Sequence, residues 1–89
     1  NCTAPQHIAP LLLAARTRTS KPLLAYPNAG ETWDANTKSW CPTHGGDPRP
    51  FEDQAMDWAA SGARLIGGCC RTTPDDIRGI AAFRASLQR

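Results

Sequence analysis

Gly67-Gly68-Cys69-Cys70-Arg71-Thr72-Thr73-Pro74 follows the short apolar run Leu65-Ile66 and precedes an amphipathic run starting at Pro74. The pattern reads as strand, turn, helix. Two glycines let the backbone bend or approach another group closely. Thr73 is a good N-cap, Pro74 suits the first helical position, and Asp75 and Asp76 suit the positive end of the helix dipole. Neighbouring side chains on a regular strand point to opposite faces, so adjacent thiols can aim at one point only where the strand ends and turns. A thiol pair at that place has three readings. It is a site for a soft metal, zinc first; a small, strained disulfide; or a pair of small buried hydrophobes.

Outward from this turn, the 89-residue chain is small enough for one domain or part of a larger one. The net charge of +2 is dispersed and argues against nucleic acid or an anionic membrane as partner. No apolar run reaches transmembrane length and no signal-peptide pattern is present. The first residue is Asn, which suggests processing, excision or a start inside a longer reading frame. Four cysteines, Cys2, Cys41, Cys69 and Cys70, permit a two-disulfide secreted module. The helical patterns and βα rhythm instead favour a reducing compartment, the cytoplasm.

In chain order, Pro5 to about Thr17 carries Ile8, Leu11, Leu12 and Ala15 at the spacing of one buried helical face, with Pro10 as a kink or restart. Leu23-Leu24-Ala25-Tyr26 reads as a buried parallel strand. Residues 27–50 read as a long polar loop in which Trp33 and Trp40 serve as packing anchors. Phe51, Ala55, Trp58 and Ala59 mark a helix ending at Gly62. Arg64-Leu65-Ile66 is the second strand, and Ile77, Ile80, Phe83 and Leu87 form the buried stripe of the last helix. His7 and Arg71 read as solvated.

The resulting αβαβα order implies parallel strands with crossover helices, and sites in such folds lie at the C-terminal strand ends. Cys2, Tyr26 to Asn28, and Cys69-Cys70 all fall there. Three thiols on one face leave a fourth zinc position open, as in catalytic rather than structural sites.

Asn1-Cys2 before a helix, Tyr26-Pro27-Asn28-Ala29-Gly30-Glu31 after a strand, and the Gly-Gly-Cys-Cys element together resemble the zinc-dependent homocysteine S-methyltransferases. The Tyr-Pro-Asn-Ala-Gly-Glu version is most similar to the branch using S-methylmethionine or S-adenosylmethionine. The resemblance implies an α/β fold, a (β/α)₈ TIM barrel of which residues 1–89 form the C-terminal third, from the end of strand six to helix eight. It implies Zn²⁺ as cofactor with Cys2, Cys69 and Cys70 as ligands. Tyr26, Asn28 and Glu31 become candidates for substrate binding; Asn28 could alternatively ligate the metal or serve only the turn. The implied reaction moves a methyl group from a sulfonium donor to homocysteine, giving methionine.

A complete barrel needs about 250 residues, so the earlier five βα units are expected as a missing N-terminal partner. The chain alone is expected to be inactive and to expose apolar strand faces. The rival reading is a small interaction module with a structural Cys₃His zinc site built from Cys41, His44, Cys69 and Cys70. A disulfide-bonded secreted binding domain is the third.

Overall fold

The computed structural model describes residues 1–41 and 49–87, with only the backbone of Thr32. A 3₁₀ turn over Pro5–His7 leads into α1 (Ile8–Arg16), followed by β1 (Leu23–Ala25). Next come β2 (Thr32–Asp34), β3 (Ser39–Cys41), α2 (Phe51–Ala60), β4 (Ala63–Ile66) and α3 (Pro74–Leu87). β1 and β4 pair in parallel, with Leu24 opposite Leu65 and Ala25 opposite Ile66. β2 and β3 form a separate antiparallel hairpin.

The local chemistry explains the element ends. Pro10 sits at the third position of α1. The first N–H groups of a helix have no intrahelical partner, so proline costs no hydrogen bond there. Pro10 is thus part of a start, and the helix runs on without a break. Glu52 and Asp53 occupy the first turn of α2 and favour its dipole. After α2, the Gly62 N–H donates to the Ala59 carbonyl at 3.1 Å, and Gly62 takes φ +120°. At α3, the Asp76 N–H donates to Thr73 Oγ1 at 3.3 Å, and the Thr73 N–H donates to Asp76 Oδ2 at 2.9 Å. Such reciprocal capping contributes about 1 kcal/mol.

The hairpin corrects the reading of residues 27–50 as loop. Asp34 Oδ1 accepts from the N–H groups of Asn36 (2.9 Å) and Thr37 (3.3 Å), closing the turn, and Lys38 takes φ +53°. Trp33 and Trp40 face each other across the hairpin, edge to face at 5.3 Å. They pack on each other, and Trp33 stays half exposed, so neither is in the buried core. The strands are three residues each, too short for alternation to show in the sequence.

Ile8, Leu12, Ala25, Phe51, Ala55, Trp58 and Ala63 form the core, with Phe51 and Trp58 edge to face at 5.2 Å. Leu23, Ile66, Ile80 and Phe83 pack against it from partly buried positions. α3 comes close to α2 at Gly79, where an added Cβ would lie 2.7 Å from a Glu52 carboxylate oxygen. Gly79 therefore permits this approach.

Two expected burials fail, both on helices. Leu11 is exposed on α1, and α3 has no fully buried residue, with Ile77 and Leu87 largely in solvent. The paired Leu24 and Leu65 are 57% and 55% exposed. The core groups all lie between the helices and one face of the β1–β4 sheet, and among the described residues nothing covers the other face. This matches the expected exposure of apolar strand surface.

Trp58, 3% exposed, anchors the core. In the intact protein, Trp58→Ala is expected to lower the unfolding free energy by about 3–5 kcal/mol, measured by denaturant titration; a loss below about 1 kcal/mol would contradict this core assignment.

Candidate metal centre

Three chain segments meet at the C-terminal ends of β1 and β4. The middle one is residues 26–29, running on from β1. On one side, the Gly67 N–H donates to Ala25 O (2.9 Å) and the Cys69 N–H to Pro27 O (2.8 Å). The Ala29 N–H donates to Cys70 O at 3.0 Å, so pairing continues beyond the strands. On the other side, the Cys2 N–H donates to Tyr26 O (3.3 Å) and the Asn28 N–H to Thr3 O (2.9 Å). Pro27, fully buried, lies at the centre of this arrangement.

The turn after β4 is closed by Thr72, whose hydroxyl donates to Cys69 O at 2.7 Å and whose N–H reaches the same oxygen at 3.2 Å. A Cβ on Gly68 would fall 2.4 Å from Thr72 Oγ1, so only glycine fits beneath that side chain. Cys2 and Arg71 adopt left-handed backbone conformations, at φ +47° and +67°. Those for a non-glycine residue cost of order 1 kcal/mol each and persist where surrounding contacts impose them.

These constraints bring the sulfurs of Cys2, Cys69 and Cys70 within 4.8 Å of one another. Cys2 Sγ and Cys70 Sγ are 3.7 Å apart. Two thiolates on a tetrahedral zinc with Zn–S bonds of ~2.3 Å stand ~3.8 Å apart. The three-sulfur donor set is therefore of the right chemistry and near the right size for zinc. Cys41 lies on β3 and is not among the grouped thiols, and His44 lies outside the described residues. The four cysteines are free thiols in this structure.

The remaining candidates are close by. Asn28 Oδ1 accepts the Cys70 N–H at 3.1 Å, so its side chain serves the turn. Glu31 accepts a hydrogen bond from Arg71 Nε at 3.0 Å. Arg71 is thus paired and not simply solvated; at this exposure the pair contributes at most about 1 kcal/mol. Tyr26 is half-buried and holds Cys2 through its carbonyl. The role of Thr72 escaped notice in the sequence; a threonine three residues after a turn cysteine was the available signal.

Mutual hydrogen bonding differentiates the thiols. Hydrogen bonding to Cys69, then to Cys70, pushes Cys2 up to about 11. The Cys69 thiol is lowered from its ordinary value, chiefly by the hydrogen bond from Cys2 and against the effect of burial.

The comparisons with known proteins fit this arrangement. The family described as "Homocysteine S-methyltransferase" matches residues 1–84. This chain belongs to the homocysteine S-methyltransferase family. It is 48% identical over 88 residues to a selenocysteine methyltransferase of Astragalus bisulcatus, a match covering 99% of this chain and 26% of that protein. It is 46% identical over 88 residues to a homocysteine S-methyltransferase of Bacillus subtilis, covering 99% and 27%. It is 46% identical over 81 residues to homocysteine S-methyltransferase 3 of Arabidopsis thaliana, covering 91% and 23%. The chain thus spans about a quarter of the length of the curated relatives it matches. No solved structure matches it significantly. Among the described residues, no helix is long and apolar enough to cross a membrane.

The shifts have a direct readout. In metal-free protein, iodoacetamide labelling followed by peptide mass should rise with pH at Cys69 well before Cys2, because the lowered thiol ionises first and Cys2 stays protonated until about pH 11. Cys2 labelling at the lower pH would contradict the assigned hydrogen-bond direction.

Proposed function

We propose that this chain is the C-terminal third of a (β/α)₈ barrel that transfers a methyl group from a sulfonium donor, S-methylmethionine or S-adenosylmethionine, to homocysteine. The reading is carried by the three sulfurs grouped at the strand ends of a homocysteine S-methyltransferase family member. The uncovered sheet face at Leu24 and Leu65 supports a larger barrel, whose interior that face would line.

Cys2, Cys69 and Cys70 would hold zinc. When bound, zinc supplies the Lewis acidity that keeps an incoming thiol deprotonated at neutral pH. The cysteine thiolates make the site electron-rich, which favours nucleophilic sulfur. Glu31 and Arg71 offer a carboxylate and a guanidinium beside the thiols, suited to the ammonium and carboxylate of an amino acid. Asn28 and Tyr26 lie at the same strand end. The homocysteine sulfur attacks the donor methyl carbon. A C–S bond forms, the methyl–sulfonium bond breaks, and its electron pair returns to the donor sulfur, which leaves as a neutral thioether. No proton moves in this step once the acceptor is a thiolate. The free thiols fit a reducing compartment such as the cytoplasm.

In the intact protein, Cys69→Ala and Cys70→Ala are expected to abolish zinc retention and methionine formation together, while Cys41→Ala spares both. The assay should offer S-methylmethionine and S-adenosylmethionine as donors, with selenocysteine as a second acceptor in view of the named relative. Residues 1–89 alone should give no methionine. Zinc that depends on Cys41 but not on Cys2 would replace this reading with the structural module.

A further inference from the structure

We propose that the Thr72 hydroxyl is the positioning group of the Cys69–Cys70 thiol pair, and that residue 68 is glycine so that this hydroxyl can reach its acceptor. The inference rests on the metal-site reading above and concerns how two of the three ligands are aimed, a matter the family assignment leaves open.

The Cys69 carbonyl and the Cys70 N–H belong to one planar peptide group, which is attached to the Cα atoms of both cysteines. Its orientation therefore governs how the two Cα–Cβ bonds diverge. On a regular strand they would point to opposite faces. Both thiols reach one cluster because the chain turns here. The backbone bond that closes this turn is long, with the Thr72 N–H donating to Cys69 O at 3.2 Å. Inside the turn Arg71 takes φ +67°, a conformation disfavoured for any residue with a Cβ. The Thr72 hydroxyl adds a second, shorter bond to the same oxygen, at 2.7 Å. Asn28 meets only the other edge of this peptide, at the Cys70 N–H. The peptides on either side are held by backbone groups, Cys69 N–H to Pro27 O and Ala29 N–H to Cys70 O. Thr72 is thus the side chain through which the carbonyl edge can be released.

Gly68 supplies the room. A Cβ there would lie 2.4 Å from Thr72 Oγ1 and 2.7 Å from both Thr72 Cβ and Cγ2. Among the described glycines, positive φ is confined to Gly30 and Gly62. No left-handed backbone therefore calls for glycine at position 68, and the threonine side chain is what excludes a Cβ. A methyl group at this position would push Thr72 off the Cys69 carbonyl, so a change at residue 68 should act on the thiols through residue 72.

The test compares Thr72→Val, Thr72→Ser and Gly68→Ala in the intact protein. Valine keeps the shape of the side chain and removes the hydroxyl; serine keeps the hydroxyl and drops the methyl. Three readouts are taken: zinc affinity by chelator competition, the affinity of the metal-free protein for phenylarsine oxide, and the thermal melt of the metal-free protein. Phenylarsine oxide forms two As–S bonds to a pair of thiols and releases its oxygen as water with the two thiol protons. Arsenic stays trivalent, so the reaction reports sulfur placement without zinc and without redox change. Peptide mass identifies the bridged cysteines.

For Thr72→Val, zinc affinity is expected to fall about 10-fold, the lower end of the scale for lost support behind a metal ligand. Phenylarsine oxide affinity should fall with it, while the melt stays cooperative. Thr72→Ser should recover most of both affinities. Gly68→Ala should resemble Thr72→Val, and should lose less when added to Thr72→Val than when added to wild type, because the bond it breaks is already gone. Wild-type affinities in Thr72→Val, or a Thr72→Ser no better than valine, would overturn the proposal. Equal losses from Gly68→Ala in the two backgrounds would overturn the part assigned to Gly68. A Thr72→Val that loses its cooperative melt would assign the hydroxyl to the fold at large and overturn the proposal as well. Wild-type protein that binds no zinc would sink the metal reading, and the arsenical arm would then decide the role of Thr72 by itself.

Discussion

The backbone pairing of residues 26–29 with segments on both sides is the constraint on which the site depends. It joins Cys2, near the start of the chain, to Cys69 and Cys70, more than sixty residues later. Chain entropy opposes such a meeting, and thiolates that approach one another without a cation repel. The hydrogen bonds that Ala25, Tyr26, Pro27, Asn28 and Ala29 make with residues 2, 3 and 67–70 supply the order. They are backbone groups that would otherwise lack partners beside a fully buried Pro27, so leaving them unmade would itself be costly.

The rest of the fold delivers these segments to one place. α2 packs against β4, and Ala55 and Trp58 belong to the core cluster that also takes in Ala25 of β1 and Ala63 of β4. α1 covers the same face with Ile8 and Leu12 and carries the Cys2 segment at its head. The Thr73–Asp76 cap starts α3 right after the thiol turn, so Arg71 and Thr72 have no freedom to drift. Gly68 and Gly79 matter for what they omit: each makes room for a neighbouring side chain where a methyl group would collide.

Much of this was legible in the sequence, and the parts that were not share a cause. The cap, the helix around Trp58 and the strand-end placement of the thiols rest on local signals and on a parallel order, which a sequence carries openly. The β2–β3 hairpin was hidden because its strands are three residues long and its Asp34-Ala35-Asn36-Thr37-Lys38 turn resembles any polar loop. The overestimated burial of Leu11, Ile77 and Leu87 arose because periodicity shows that a face is apolar but not whether anything covers it. The double role of Asn28 was illegible for another reason: it joins residues far apart in sequence, and no spacing rule links positions 3, 28 and 70.

The proposed metal centre of Cys2, Cys69 and Cys70, with one position for substrate, is tested by X-ray absorption at the zinc edge on the intact protein. Three sulfur neighbours at ~2.3 Å and one lighter atom are expected, changing to four sulfurs when homocysteine is added. Four protein sulfurs without substrate, or a sulfur count that homocysteine leaves unchanged, would contradict it.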